Sequence, residues 1–186
     1  LTHHLYLCMR DFGYRIGVGD DAEVYFYLYD AHSSRQRQIT ERFLVKITKD
    51  GWSNYVDMPH SNCTVFTDLG ESELNSELYI VANVMRVGKI QFSDTSMRKS
   101  VDKGLMSQNY RRPYGVGVLP LTDLRQFDCT IEPEEREMTF KLHTCDEKDY
   151  HQLHELIIKK ASGKYSPINA TGSNYGISVS MRLIYG

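Results

Sequence analysis

Several features are scarce or missing in this chain of 186 residues. No apolar run approaches the roughly 18 residues that a membrane-spanning helix needs. Proline (5 residues) and glycine (13 residues) are too few for a collagen-like or low-complexity protein. The net charge of −2 gives no overall basic surface of the kind that binds nucleic acid. The composition therefore predicts a soluble globular protein with one hydrophobic core.

Motifs for nucleophilic, phosphate or metal chemistry are also missing. The chain contains no G-x-S-x-G, no H-E-x-x-H and no Walker loop. The four cysteines form no C-x-x-C pair and match no standard zinc spacing; they are Cys8, Cys63, Cys129 and Cys145. We therefore expect reduced, partly buried thiols in a cytoplasmic protein, with no catalytic residue, no cofactor and no metal.

Alternation of apolar and polar residues with a period of two dominates the chain. Val24, Phe26 and Leu28, for example, share one face of a segment whose other face carries tyrosines. Segment 78–87 is apolar on nearly both faces, which indicates a central strand covered on both sides. Eight segments are predicted to be strands: 5–10, 22–29, 39–48, 63–67, 78–87, 115–121, 137–143 and 177–184. Short strands separated by turn residues predict an all-β fold, an antiparallel eight-stranded β-sandwich that is C2-like.

One segment has the period of a helix. Tyr150, Leu153 and Ile157 form a stripe within residues 150–160, with Asp146 as the expected N-cap and Gly163 as the expected stop. We therefore expect one α-helix before the last strand. The chain begins with Leu1, and no linker divides it, so residues 1–186 are predicted to be a single C2-like domain taken from a longer multidomain protein.

Charge is distributed unevenly along the chain. Residues 88–113 carry six basic side chains against two acidic ones, whereas residues 128–149 carry eight acidic side chains against three basic ones. We expect segment 98–112 to be a basic loop that contacts anionic lipid or an acidic partner; its candidate residues are Arg98, Lys99, Lys103, Arg111 and Arg112. An ordinary solvated loop is the alternative. The acidic stretch is predicted to be a solvated face or a contact with another domain.

Two metal hypotheses stay open as alternatives. A zinc or enzymatic site would use His143, His151 and His154, with Cys145 and Asp149 nearby, because the two helical histidines could face one ion. A calcium site of the kind found in C2 domains would gather turn aspartates, here Asp20, Asp21, Asp30, Asp68 and Asp94. These aspartates do not form a D-x-D pattern on one loop, so we expect them to be solvated turn residues.

Several short motifs, in order along the chain, resemble the N-terminal region of the dedicator-of-cytokinesis (DOCK) family. They are residues 3–7, 22–30, 41–45, 63–69, 77–81, 86–88, 98–99 and 111–118. The resemblance covers essentially the whole chain and is greatest to the Rac-directed subgroup that works with engulfment-and-motility (ELMO) adaptors. It places the chain between the N-terminal SH3 and helical region and the lipid-binding homology region, with the nucleotide-exchange domain outside it.

The resemblance implies a non-catalytic scaffold or interaction module of a guanine nucleotide exchange factor for Rac-type small GTPases. Such a parent protein acts in cytoskeletal remodelling, cell migration and engulfment signalling. The implied partners are neighbouring domains of the parent and, through the parent, an ELMO-type adaptor and a Rac-type GTPase. The implied location is cytoplasmic, with recruitment to the plasma membrane through an anionic surface. The alternative function is that of a calcium-independent C2 domain that binds anionic lipid through segment 98–112.

Overall fold

The computed structural model describes residues 2–17, 19–32, 34, 36–48, 62–91, 107–121, 135–170 and 176–186. Within these ranges the chain forms eleven strands, two α-helices and a 3-10 helix. In chain order they are β1 (His3–Phe12), β2 (Asp21–Asp30), β3 (Arg37–Gln38), β4 (Phe43–Ile47), β5 (Cys63–Leu69), α1 (Glu71–Leu74), β6 (Leu78–Gln91), β7 (Ser107–Pro120), β8 (Arg136–Phe140), β9 (His143–Thr144), the 3-10 helix Glu147–Gln152, α2 (Leu153–Ile158), β10 (Ser166–Pro167) and β11 (Ile177–Tyr185).

The strands form two antiparallel sheets. One sheet has four strands in the order β5-β1-β11-β8. The other has seven strands in the order β10-β9-β7-β6-β2-β3, with β4 also paired to β2. The predicted antiparallel β-sandwich is therefore confirmed. Each of the eight predicted segments overlaps a strand of at least five residues, and the three strands that were not predicted are two residues long.

The core lies between the two sheets. Alternate residues of β1 and β11 face alternate residues of β2 and β6, and the fully buried members include Leu7, Phe26, Ile80 and Val179. The rings of Phe26 and Phe140 lie 5.8 Å apart across this layer. Each such side chain contributes roughly 1.5–3 kcal/mol to stability by leaving water. The period of two in the sequence thus comes from strands that bury one face.

Helix α2 covers part of the outer face of the seven-stranded sheet. Leu153 is fully buried against Tyr27, Tyr29 and Val81, and the Tyr29 hydroxyl donates a hydrogen bond of 2.9 Å to Glu155. Val81 on the outer face of β6 is therefore buried beside the core-facing Ile80 and Ala82, which accounts for the two apolar faces of this part of β6. The predicted helix before the last strand is confirmed, although it opens as a 3-10 helix, and the short α1 was not predicted.

Two strands begin four or more residues away from their predicted starts. Strand β4 begins at Phe43 rather than at residue 39. The Leu28 N–H donates to the Thr40 hydroxyl oxygen at 2.9 Å, so a side chain replaces the strand pairing there. Strand β7 begins at Ser107 rather than at residue 115. Its first half is polar, so it carries no alternation that marks a strand.

The expectation of reduced cysteines is wrong for one pair. Cys8 and Cys63 are register partners on β1 and β5, with Cα atoms 4.1 Å apart, and they form a disulfide. Their separation of 55 residues gives no sign of this contact in the sequence. Cys145 is a free thiol, and Cys129 lies outside the described residues.

Candidate functional site

The longest hairpin of the fold projects beyond its neighbours. Strand β6 pairs with β7 from Tyr79 to Gln91, but it pairs with β2 only as far as Val87. Four further pairs, Gly88↔Tyr110 to Gln91↔Ser107, therefore form a two-stranded ribbon of about 13 Å. We call residues 88–91 and 107–110 the arm. Residues 92–106 connect its two strands in sequence.

The basic segment 98–112 that the sequence singled out is only partly described by the structure. Arg98, Lys99 and Lys103 lie outside the described residues. Arg111 and Arg112 lie in strand β7, at the base of the arm, and not in a loop as predicted. The structure therefore corrects the prediction of one continuous loop over residues 98–112, since its last six residues belong to a strand.

Arg111 lies on the outer face of the seven-stranded sheet. Its guanidinium is 3.0 Å from the Glu23 carboxylate, whose side chain is only 7% exposed. The Tyr25 hydroxyl donates a hydrogen bond of 2.6 Å to the same carboxylate, and this contact, with burial, raises the pKa of Tyr25. Arg111 and Tyr25 thus stabilise a charged group that would be costly to bury alone.

Arg112 is the register partner of Arg86, on the opposite face from Arg111. Its guanidinium lies 5.7 Å from the centre of the Tyr110 ring, within the range of a cation–π contact. The Tyr110 ring lies against Gly88, where a Cβ atom would collide with it. Its hydroxyl is 3.4 Å from the Asp20 carboxylate, which Arg86 also binds. The hydrogen bond to Asp20 raises the pKa of Arg86.

A β-bulge sets the geometry at the base of the arm. Val84 pairs with Gly115 and Met85 with Pro113, so Tyr114 is the extra residue. The Tyr114 ring packs 6.3 Å from Tyr14 on the core side. Bulges of this kind increase the local twist of a hairpin. The bulge also accommodates Pro113, which cannot donate a hydrogen bond to the ladder.

The candidate zinc ligands His143 and His154 contact different aromatic rings. The His143 ring packs edge-on against Tyr165 and the His154 ring edge-on against Tyr29. Burial lowers the pKa of both histidines. Among the described residues, no three His, Cys, Asp or Glu side chains come together in a group that could hold a metal ion.

A cleft of about 520 Å³ lies beside the free thiol of Cys145, between the β9–β10 pair and α2. Burial raises the pKa of this thiol, and the nearby Asp149 and Asp146 raise it further. A thiol in such surroundings stays protonated, whereas a nucleophilic cysteine needs a lowered pKa. The cleft therefore offers no activated nucleophile at Cys145.

The candidate calcium ligands have separate roles. Asp20 binds Arg86 at one end of β2, while Asp30 accepts a 2.6 Å hydrogen bond from Ser76 at the other end. Ten residues of extended chain separate the two ends, a distance of roughly 30 Å. Asp68 lies in β5, the edge strand of the four-stranded sheet, where its N–H donates to His4 Nδ1 at 3.2 Å, and Asp94 lies outside the described residues.

Comparison with known proteins gives the same assignment as the motifs. All of residues 1–186 match the family model described as "DOCK N-terminus". The chain belongs to the DOCK N-terminus family. It is 37% identical to human "Dedicator of cytokinesis protein 3" and 36% identical to human "Dedicator of cytokinesis protein 4", over its whole length in both cases. It spans 9% and 8% of the lengths of these two proteins.

The acidic stretch of this DOCK N-terminus begins outside the described residues, and Glu135 is its first described member. The Glu135 carboxylate lies between Arg10 at 3.1 Å and Arg182 at 2.6 Å. These two hydrogen bonds, with Arg182 as the stronger cause, lower the pKa of Glu135. Part of the acidic stretch is thus bound to the four-stranded sheet rather than left as a solvated face.

Sequence reasoning missed the residues that give the DOCK N-terminus its arm geometry. Glu23, Gly88 and Tyr110 each sit opposite a partner that is more than 20 residues away in sequence. The alternating pattern placed Glu23 on a solvent face, and nothing near it in sequence indicates Arg111. Within the described ranges of the chain, no helix is both long and apolar enough to cross a membrane.

Proposed function

We propose that this chain is a non-catalytic scaffold or interaction module from the N-terminal region of a DOCK-family guanine nucleotide exchange factor for Rac-type small GTPases. In this proposal residues 1–186 form a single C2-like domain of a longer multidomain protein, and nucleotide exchange takes place in another domain. The parent would act in the cytoplasm in cytoskeletal remodelling, cell migration and engulfment signalling. It would work with an ELMO-type adaptor and be recruited to the plasma membrane.

The observation that carries the proposal is the arm. A hairpin of β6 and β7 extends about 13 Å past its sheet, and the basic segment 98–112 belongs to this hairpin in sequence, which supports a contact of this part of the chain with another surface. Family membership over the whole chain supports the parent's role. The described polar clusters, by contrast, consist of charges and hydroxyls that bind one another within the domain.

Nucleotide exchange tests the scaffold function directly. Rac loaded with a fluorescent GDP analogue is mixed with the 186-residue chain, and release of the nucleotide is followed. We expect the chain to leave the release rate unchanged, while the parent exchange factor accelerates it. Charge reversal at Arg98, Lys99 and Arg112 in the parent should weaken its capture by partner or membrane and leave exchange in solution intact; Arg111 is kept because it neutralises the buried Glu23. Acceleration of release by the chain alone would refute the scaffold function.

A second candidate function is calcium-independent binding of anionic lipid by Arg98, Lys99, Lys103, Arg111 and Arg112. The projecting arm favours it, since a membrane is a flat surface that a projection reaches first. Liposome co-sedimentation tests it with neutral vesicles and with vesicles that contain phosphoinositide, each with calcium and with chelator. Pelleting with anionic vesicles only, independent of calcium and lost at high salt, is the expected result. If no vesicle pellets the chain, lipid binding is wrong and an acidic protein surface is the remaining partner.

A further inference from the structure

Arg111 and Arg112 are adjacent in sequence but have different surroundings. Successive residues of a strand point to opposite faces, so the two guanidinium groups leave β7 in opposite directions. Arg111 lies over the outer face of the sheet, where it meets Glu23. Arg112 lies over the face that carries Tyr110, beside the base of the arm. The two arginines can therefore be tested separately.

Arg111 neutralises a carboxylate of the same sheet. Its carboxylate partner Glu23 is nearly buried and also accepts the Tyr25 hydroxyl. The ion pair has no net charge, so it adds little attraction toward an anionic surface. An external anion that took Arg111 away from Glu23 would leave a buried carboxylate unpaired, which is strongly unfavourable.

Arg112 has no such partner. Within the part of the chain that the structure describes, it is exposed, and no carboxylate lies within ion-pair distance of it. Its contact is the Tyr110 ring, which Gly88 and Asp20 hold in place. A guanidinium over an aromatic ring keeps its donors free for an oxyanion, and phosphate is a group that arginine binds well. Tyrosine side chains are themselves favourable at a membrane interface because the ring is apolar and the hydroxyl polar.

We propose that Arg112 and Tyr110 form a subsite at the base of the arm for the phosphate of an anionic lipid headgroup, and that Arg111 serves only to hold β7 to β2. This inference rests on the lipid-binding function proposed above. It divides the two described arginines of that proposal: Arg112 contacts the membrane, whereas Arg111 is structural.

Three variants of the 186-residue chain test this division of roles: R112Q, R111Q and the double variant E23Q/R111Q. Each is titrated with vesicles of phosphatidylcholine alone, with added phosphatidylserine and with added phosphoinositide, and its thermal unfolding is recorded. A basic residue near an anionic membrane contributes about 1 kcal/mol, so R112Q should weaken binding about fivefold with an unchanged melting temperature. R111Q should lower the melting temperature because Glu23 is left unpaired. E23Q/R111Q removes the pair without changing the net charge and should bind vesicles as the wild type does.

The outcomes separate failure of the inference from failure of the proposed function. If the wild-type chain does not bind the anionic vesicles, the proposed lipid-binding function is wrong, and the proposed subsite is wrong as well. If the wild type binds but R112Q binds equally well, lipid binding stands and the subsite is refuted. Equal loss of binding in R112Q and E23Q/R111Q would also refute it, because Arg111 would then contact the membrane.

Discussion

Lys160 has a left-handed backbone conformation, with φ of 52°, just after α2 ends. The Ala161 N–H donates to the Leu156 carbonyl at 3.0 Å and the Lys160 N–H donates to the Ile157 carbonyl at 3.1 Å, which is a Schellman ending. The sequence predicted the stop at Gly163, and that position is wrong. A non-glycine residue in this conformation is strained, so we expect Lys160→Gly to raise the free energy of unfolding by about 0.5–1 kcal/mol in denaturant titration.

Lys159 is the matched control for this prediction. It is the neighbouring lysine, and its backbone is right-handed with φ of −77°. Glycine at that position relieves no strain and only adds freedom to the unfolded chain, so Lys159→Gly should destabilise by about 1 kcal/mol. A loss of stability in Lys160→Gly as large as that in Lys159→Gly would contradict the role given to the left-handed residue.

His154 predicts a pH dependence of stability. Burial against Tyr29 lowers its pKa below 6.5, with Arg42 and His151 acting in the same direction and Glu155 opposing them. Below about pH 6.5 the unfolded chain takes up a proton that the folded chain does not yet bind. The contribution of His154 is therefore complete above about pH 6.5, and it is lost as the pH falls from there toward the lowered pKa of the folded state.

Unfolding titrations between pH 7.5 and pH 5 check this prediction, because this range extends from about 1 unit above to about 1.5 units below the ordinary histidine pKa of about 6.5. His154→Phe keeps a ring against Tyr29 and should reduce the pH dependence of stability in this window, leaving the part that comes from the lowered pKa of His143. His151→Gln changes an exposed histidine on the same helical stretch. It should leave most of the dependence in place. If the free energy of unfolding falls equally with decreasing pH in the wild type and in His154→Phe, a group other than His154 causes the loss of stability in acid.

At the scale of the element, periodicity predicted where strands occur because each strand buries alternate residues. It did not predict β7 where this strand leaves the core: residues 107–112 are polar and form one strand of the arm and its base. It also predicted a start of β4 that is four residues too early. There the Leu28 N–H donates to the Thr40 hydroxyl oxygen instead of to a strand carbonyl. The basic residues of segment 98–112 were visible in sequence, but Glu23, the partner of Arg111, lies on a strand whose position relative to β7 the sequence does not encode locally.

Gly176 positions the start of β11 against β8. Its φ is 154°, and a Cβ atom there would collide with the backbone carbonyl of Phe140. A carbonyl in a paired strand cannot move aside as a flexible side chain can. We expect Gly176→Ala to destabilise the fold by about 3 kcal/mol in denaturant titration, from backbone strain and a forced shift of β8.

Gly163 separates these two causes. Its φ is 88°, also in the region that favours glycine, but nothing lies within 4 Å of its Cβ position. Gly163→Ala should therefore cost only the conformational strain, about 1 kcal/mol. Equal losses in the two alanine variants would mean that the contact with Phe140 contributes nothing.

At the scale of the whole molecule, the first and last strands are neighbours. Strand β11 lies between β1 and β8 in the four-stranded sheet, with His3 opposite Tyr185. An alternating pattern says that β11 has a buried face but not which strand it pairs with. The sequence therefore predicted the sandwich architecture, while the order of strands in each sheet came only from the structure.

Removal of residues 177–186 should abolish cooperative unfolding. Without β11, β8 loses its partner and one face of the core loses four buried side chains, namely Ile177, Val179, Met181 and Leu183. Loss of roughly 6–12 kcal/mol of apolar burial is comparable to the whole stability of a domain. Circular dichroism during heating should show no sharp transition. Removal of residues 185–186 alone is the control and should keep the transition, because both residues are exposed.

The pairing of β1 with β11 has a mechanical consequence. The two strands are antiparallel, and the Thr2 hydroxyl donates to the Gly186 carbonyl at 3.2 Å, so both chain ends leave the sandwich at the same end of the same strand pair. Tension applied through the two ends acts on one residue pair of β1 and β11 at a time. The hydrogen bonds between the strands then break one after another, from the pair His3–Tyr185 toward the pair Phe12–Ile177. A domain pulled in this way unfolds at a lower force than a domain whose chain ends leave from opposite ends of paired strands. In that second geometry all the interstrand hydrogen bonds bear the load at the same time.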